Sequence, residues 1–436
     1  MGHVVTTPAG TYRANWRDPT GRQKSKTFKT KKAANAYLAE VETTLNRGTY
    51  VDPYAGRIRF ASYAAQWLDA RNSQATTSAR DWSIMRTHVL PKWGPFPLSK
   101  VDHLAVQAWT TELGTRLAAA TVAKCHQLTS AVFKAAIRDR LIATNPCDDV
   151  RLPAIRRKDN DDRIVTPDEV VGKLLPAVPL RYRALVGLAA GTGLRWGECV
   201  GLRWDAVDWD DWDTECKPHG AEYCSECRDK HEPVVRVLRV AVEVAGTVTT
   251  RPFPKSNAGR RTVPLAPYAA QLLVHHRRQF PAGPAGEIFT NTTGGPMRRT
   301  LFRSRVWRPA LHRAGLLGVV IKMSVDKWRA TWSDETGLER HREFTTEREA
   351  RVHVITHAAN GLRFHDLRHS YATWLISSGV PINDVQKVMG HEQASTTLNR
   401  YTHGSEQRDT RVRRALADFT LTSISDEDPE DEEGPS

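Results

Sequence analysis

A word near the start of the chain recurs without a gap 316 residues further on. TYRANWRDPTGRQKSKTFKTKKAA, residues 11–34, aligns with KWRATWSDETGLERHREFTTEREA, residues 327–350. Arg13 meets Arg329, Ala14 meets Ala330, Trp16 meets Trp332 and Asp18 meets Asp334. Thr20 meets Thr336, Gly21 meets Gly337, Phe28 meets Phe344, Thr30 meets Thr346 and Ala34 meets Ala350. Unrelated hairpins do not share so long a word, so the two stretches must fold as one kind of module. Its first copy alternates from Thr11 to Arg17, turns at Asp18-Pro19-Thr20-Gly21, and returns from Lys24 to Phe28. Thr30 then caps a helix with the apolar stripe Ala34, Leu38, Val41 and Leu45, and Gly48 stops it. The expectation is a two- or three-stranded sheet backed by one helix, too small to stand well alone. In the second copy, Trp332 and Phe344 are expected to pack on Ala350 and Val354. That copy interrupts a longer domain, so its two ends must return close together.

The first copy reads as carrying Arg13, Arg17, Arg22, Lys24 and Lys26 on one exposed strand face. Its repeat keeps Arg329, Arg340 and Arg342 but has Ser333, Glu339 and Glu343 at other positions. The whole chain of 436 residues has a formal net charge of +14. Its last segment, SDEDPEDEEGPS, holds seven acids and no base, so the rest is more basic still. A basic body of this size suggests several domains and a polyanionic partner, most often nucleic acid. No apolar run approaches the roughly 18 residues that cross a bilayer, and there is no signal-peptide pattern. A cytosolic protein with reduced thiols is expected.

The most informative stretch for chemistry is NGLRFHDLRHSYATWLISSGVPINDVQKVMGHEQASTTLNRYTH, residues 360–403. His365 and Arg368 lie three apart, which places them on one helix face. Leu367, Tyr371, Trp374 and Leu375 supply the buried side, and Gly379 with Pro381 ends the helix. A second short helix runs to Met389 and stops at Gly390, with His391 on the turn beyond and Tyr401 a short segment later. Upstream, GTGLRWGE holds Arg195 and Glu198. Lys255 sits in PKSNAGRRTVPL, read as a hairpin turn.

His365-x-x-Arg368, Gly390-His391, Tyr401, Arg195 and Lys255 together resemble the tyrosine recombinases, the phage-integrase family. Each word alone is weak, since an isolated His-x-x-Arg is most often a solvated helix face. Their order and the local words around each carry the resemblance. It implies an α+β, mainly helical multidomain architecture with a small β-sheet in the catalytic domain. The segment 1–50 is then similar to the arm-type DNA-binding module of integrases, with Arg13, Arg17, Lys24 and Lys26 as DNA contacts. Residues 58–150, a run of amphipathic helices, resemble the helical core-binding domain. Residues 163–420 form the catalytic domain with insertions at 211–232 and 323–358, and 421–436 is an acidic, disordered tail.

The residue types fit phosphodiester chemistry. A DNA phosphate under attack gains negative charge, which the guanidinium forks of Arg195 and Arg368 stabilise. Tyr401 supplies the nucleophilic oxygen; a phenol has a pKa of about 10, so neighbouring cations assist it. Lys255 is suited to protonate the leaving oxygen, His365 and His391 complete the proton traffic, and Glu198 orients Arg195. The resemblance adds a covalent 3′-phosphotyrosine intermediate, double-stranded attachment sites and a homotetramer on DNA. It also implies accessory DNA-bending or directionality proteins, and neither ATP nor a catalytic metal. A type IB topoisomerase shares this chemistry, and a non-catalytic regulator on a relict fold would share the architecture. Separately, Cys216-x2-His219-x4-Cys224-x2-Cys227-x3-His231 offers five ligands in sixteen positions. A tetrahedral zinc needs four, so a structural zinc on Cys216, His219, Cys224 and Cys227 is expected, with His231 in reserve.

Overall fold

The computed structural model describes residues 2–52, 54–154, 163–208, 233–252, 259–359 and 361–390. Lys255, His391, Tyr401, the cysteine insertion at 211–232 with Cys216, His219, Cys224 and Cys227, and the tail at 421–436 lie outside them. The chain divides into two compact units, Met1–Asp159 and Asn160–Ser436. Among the described residues no helix is long and apolar enough to cross a membrane.

The first unit begins with the sheet β1 (His3–Thr6), β2 (Tyr12–Arg17) and β3 (Gln23–Phe28), antiparallel in that order, backed by α1 (Lys31–Asn46). Asp18 accepts from Thr20 and Arg22 in the turn, Gly21 takes φ 83°, and the Thr30 hydroxyl accepts from the Ala33 amide. Period-two alternation sends Ala14 and Trp16 onto Ala34, Leu38 and Val41. The register corrects one expectation. Trp16 pairs with Lys24 and Ala14 with Lys26, so both lysines lie on the helix side of the sheet with those core residues. Lys24 is tied there to Asp52 and Lys26 lies 4.3 Å over the Tyr37 ring. The open face instead carries Arg13, Asn15 and Arg17 opposite Thr27, Ser25 and Gln23. Reading charge along the strand without its pairing merged two faces.

After it come α2 (Phe60–Ala70), α3 (Ala75–Ile84), α4 (Leu90–Trp93), α5 (His103–Gly114) and α6 (Ala119–Arg138). Their shared core holds Phe60, Met85, Trp93, Trp109, Leu113 and Phe133. Trp93 meets Trp109 edge-on at 5.6 Å. Pro91 does not end the helix that contains it: α3 continues into α4 through a π-helical turn over Met85–Val89. Proline lacks an N–H and its ring crowds the carbonyl four residues back; widening the preceding turn accommodates both. The device recurs in the second unit. A π turn at Glu169–Leu174 precedes Pro176 in α7 (Leu175–Ala177). Another at Arg303–Trp307 joins α11 (Arg299–Phe302) to α12 (Arg308–Arg313), where Pro309 sits.

The second unit is built around α8 (Leu180–Thr192), whose last nine residues, Ala184–Thr192, are all buried. It packs on α10 (Pro267–Gln279) and leads into α9 (Trp196–Val200). From Leu202 the chain makes a 3₁₀ turn at Trp204–Ala206, followed by the two-residue β4 (Val207–Asp208). The strands that follow fall in two sheets. β5 (Val234–Val237) joins β4 and β8 (Arg261–Pro264), whereas β6 (Val240–Val244) and β7 (Thr247–Arg251) form a separate hairpin. The second copy of the repeated word follows as β9 (Val319–Ser324), β10 (Lys327–Ser333), β11 (Glu339–Phe344) and α13 (Glu347–His357). Trp328↔Phe344 and Ser333↔Glu339 reproduce Tyr12↔Phe28 and Arg17↔Gln23 at the same offset, and Val320↔Ala330 reproduces Val4↔Ala14. Asp334 closes the turn, Thr346 caps the helix, and Trp332 and Phe344 pack on a core containing Ala350 and Val354. α14 (Asp366–Ser377) and α15 (Ile382–Met389) complete the described residues.

Candidate active site

The site is assembled from three chain reversals. At the first, α8 ends on Gly193 in the left-handed region with φ 63°. A side chain there would be strained, and its Cβ would lie 2.5 Å from the Tyr371 ring, so only glycine fits. Two residues later Arg195 is the N-cap of α9 in an extended conformation. Glu198, at the third helical position, accepts from the Arg195 backbone amide at 2.9 Å in a capping box. Its other oxygen accepts from Arg195 Nη1 at 2.9 Å. Cap and charge pair are one interaction, which fixes backbone and guanidinium together.

The second reversal is the N-terminus of α14. His365 is its N-cap and is exposed, whereas Arg368, one turn in, is 2% exposed. The three-residue spacing therefore places them one turn apart but in different environments. Arg368 Nη1 donates to the Gly193 carbonyl at 2.7 Å, which ties α14 to the turn that carries Arg195. His369, buried, meets the His365 ring edge-on at 4.8 Å. Ser370 accepts from the Val165 amide and Trp374 Nε1 donates to the Val165 carbonyl, anchoring the helix to the start of the unit.

The third is the end of α15, where Gly390 takes φ 63° and exposes the last carbonyls of the helix. Three guanidinium groups meet them. Arg261 donates to the Val388 carbonyl, Arg368 to that of Met389, and Arg195 Nη2 to that of Gly390 at 3.4 Å. Cations suit the negative end of a helix dipole. The structure thus brings Arg195, Glu198 and Arg368 together around Gly193 and the end of α15.

Arg261 is the residue the sequence reading missed. It grips both oxygens of Glu198, Nη1 on Oε1 at 3.2 Å and Nη2 on Oε2 at 2.9 Å. A signal existed: Arg261 is in phase with Val263 and Leu265, both buried, and an arginine on the inward parity of a strand needs a partner. Three guanidiniums and one carboxylate leave the cluster with a positive balance, suited to a phosphodiester. Burial pushes the Glu198 carboxyl up, but the Arg261 hydrogen bonds and the charges of Arg261 and Arg195 outweigh it and bring the group from 4.5 down to about 2.

That depression is worth on the order of 3 kcal/mol of stability. Because the folded value lies below the unfolded one, the contribution is complete above 4.5 and disappears as the pH falls through about 2. Glu198→Gln is therefore expected to be less stable than the wild type at neutral pH, with the gap narrowing as the solution is acidified. Denaturant melts across the acid range measure it. A gap that stays constant down to the acid limit of folding would rule out an ionised, arginine-held Glu198.

Residues 340–408 match the family model described as the phage integrase family, and residues 60–152 match the phage integrase central domain. The chain is 27% identical over 428 residues to the putative prophage phiRv2 integrase of Mycobacterium tuberculosis (strain CDC 1551 / Oshkosh), spanning 96% of this chain and 95% of that protein. It is 22% identical over 436 residues to the integrase of Mycobacterium phage L5, covering 97% and 98% of the two. Its fold is similar to that of the Tn1549 transposon integrase solved in complex with a circular intermediate DNA, with TM-score 0.58 and 18% identity over 82% of this chain and 99% of that one. The chain thus carries two segments that match phage integrase domains and resembles, over nearly its whole length, proteins named as integrases.

Proposed function

We propose that this protein is a site-specific DNA recombinase that integrates or excises a mobile element by cutting and rejoining strands at its attachment sites. The observation that carries the reading is the pair Arg195 and Arg368, joined through Gly193 and backed by Glu198. Two guanidiniums so held stabilise the extra negative charge on a phosphorus under attack. The Tyr401 oxygen attacks the phosphorus and forms a 3′-phosphotyrosine. The bond to the 5′ oxygen breaks, and Lys255 supplies the proton that this oxygen takes up. His365 and His391 serve the proton transfers. The phosphotyrosine retains the bond energy, so rejoining reverses the step on a new strand without ATP or a catalytic metal. The working form is a homotetramer on double-stranded DNA in the cytoplasm, assisted by DNA-bending or directionality proteins.

The DNA flanking the gene supplies the test substrates, because an element's attachment sites border it. Wild-type protein is expected to form a covalent adduct on a nicked duplex from these flanks. Tyr401→Phe should lose the adduct and keep DNA binding, since only the hydroxyl is removed. An adduct that persists in Tyr401→Phe would overturn the assignment, and relaxation of plasmids lacking any paired site would favour a topoisomerase.

The two copies of the small module are proposed to act differently. The open face of the first offers Arg13 and Arg17 among neutral residues, which suits phosphate contacts at arm-type sites. On the second, Arg17 is replaced by Ser333, Gln23 by Glu339 and Thr27 by Glu343, and Arg329 is paired with Glu343 at 3.0 Å. Arg13→Ala with Arg17→Ala is expected to weaken arm-site binding and flatten its salt dependence, while Arg329→Ala leaves both unchanged. Equal losses from the two modules in gel-shift titrations would refute the division. The insertion with Cys216, His219, Cys224 and Cys227 is proposed to hold a structural zinc. Metal analysis of reduced, chelator-free protein should find about one per chain, and finding none would remove the site.

A further inference from the structure

Arg261 is tied into the site more firmly than Arg195, one of the two arginines that the sequence assigned to catalysis. Its side chain is 6% exposed against 41% for Arg195. Every nitrogen of its guanidinium is committed: Nε to the Val388 carbonyl, Nη2 to Glu198 Oε2 at 2.9 Å, and Nη1 to both Glu198 Oε1 at 3.2 Å and the Gly259 carbonyl at 3.1 Å. It therefore joins three parts of the chain. One is the capping box of α9, one is the start of β8, which follows Lys255 in sequence, and one is the end of α15, directly before His391 in sequence.

The Glu198 carboxylate is held by the Arg195 amide on one oxygen and by a single nitrogen of the Arg195 side chain on the other. The bidentate grip of Arg261 adds a planar fork on both oxygens, which fixes the carboxylate plane and with it the direction of the one bond that orients the guanidinium. Resting on the recombinase reading above, we propose that Arg261 is a positioning residue of strand transfer: it sets the direction of Arg195 through Glu198 and holds the end of α15. Each of its nitrogens is bonded to protein atoms and its side chain is 6% exposed, so it acts through Arg195 and not on the phosphate. A lysine keeps the charge but contacts one oxygen at a time, so charge and geometry are separable.

The test uses full-length protein and the nicked flanking duplex that the wild type cleaves. Arg261→Gln is expected to slow single-turnover adduct formation by about 100-fold, the scale on which a misaligned group costs rate. Arg261→Lys should fall between the two, and DNA affinity by gel shift should be unchanged in both. A wild-type cleavage rate in either variant overturns the proposal, as does a loss of affinity equal to the loss of rate. Should Arg261→Gln fail to fold by circular dichroism, the Arg261→Lys rate decides alone. If the wild type forms no adduct on any flanking duplex, it is the recombinase reading that fails. Arg261 is then judged by a double-mutant cycle with Glu198→Gln in denaturant melts, where additive losses would remove the coupling on which the proposal depends.

Discussion

The carboxylate of Glu198 is the contact on which the geometry of the site depends. It is 3% exposed and accepts from the Arg195 amide, the Arg195 side chain and two nitrogens of Arg261. A charge taken out of water at this depth is tolerated only when its oxygens are fully hydrogen-bonded, and breaking one side of such a pair strands the other. The arrangement is therefore stiff: moving Arg195 disturbs the helix cap, and moving the β8 strand disturbs Arg195. A site that binds charge developing on a phosphate gains from that stiffness, because its donors need no reorganisation at the moment of reaction.

The same economy governs the end of α15. A helix terminus leaves its last carbonyls without partners, and here Arg195, Arg261 and Arg368 supply donors to Val388, Met389 and Gly390. Gly390 caps the helix in the left-handed region. The residue that follows in sequence is His391, so the cluster that fixes the arginines also fixes the residue directly before it. Gly193 plays the matching role on the other side, with one carbonyl received by Arg368 and a conformation that no side chain permits.

What was legible in the sequence was what local rules determine. The Arg-x-x-Glu pair, the glycine stops and the His-x-x-Arg helix start can each be read from spacing, because each is made within one turn. Arg261 was hidden because its partner lies 63 residues away and only the fold brings them together. Lys24 and Lys26 were assigned to the wrong face because charge was read along a strand, whereas pairing across the hairpin decides which side a residue occupies. The helix also runs on through Pro91 because the chain widens one turn, which no spacing rule reports. In each case the missing information is a partner or a deformation beyond the window in which sequence periodicity operates.

The duplicated module separates what a fold requires from what it leaves open. Both copies keep the glycine at positive φ in the turn, the aspartate that closes it, the threonine cap and the alanines where helix meets sheet. These positions are constrained by sterics and by hydrogen bonds that must be satisfied inside the module itself. The open sheet face is less constrained at its exposed positions, and there Arg17 and Thr27 have given way to Ser333 and Glu343. Even the helix-side position of Tyr37 accepts His353, which keeps the edge-on contact with the tryptophan of β10. A change confined to the open face alters what the module can bind without altering how it folds. The divergence between the copies is concentrated where it would change a partner, and the identity is concentrated where it preserves the scaffold.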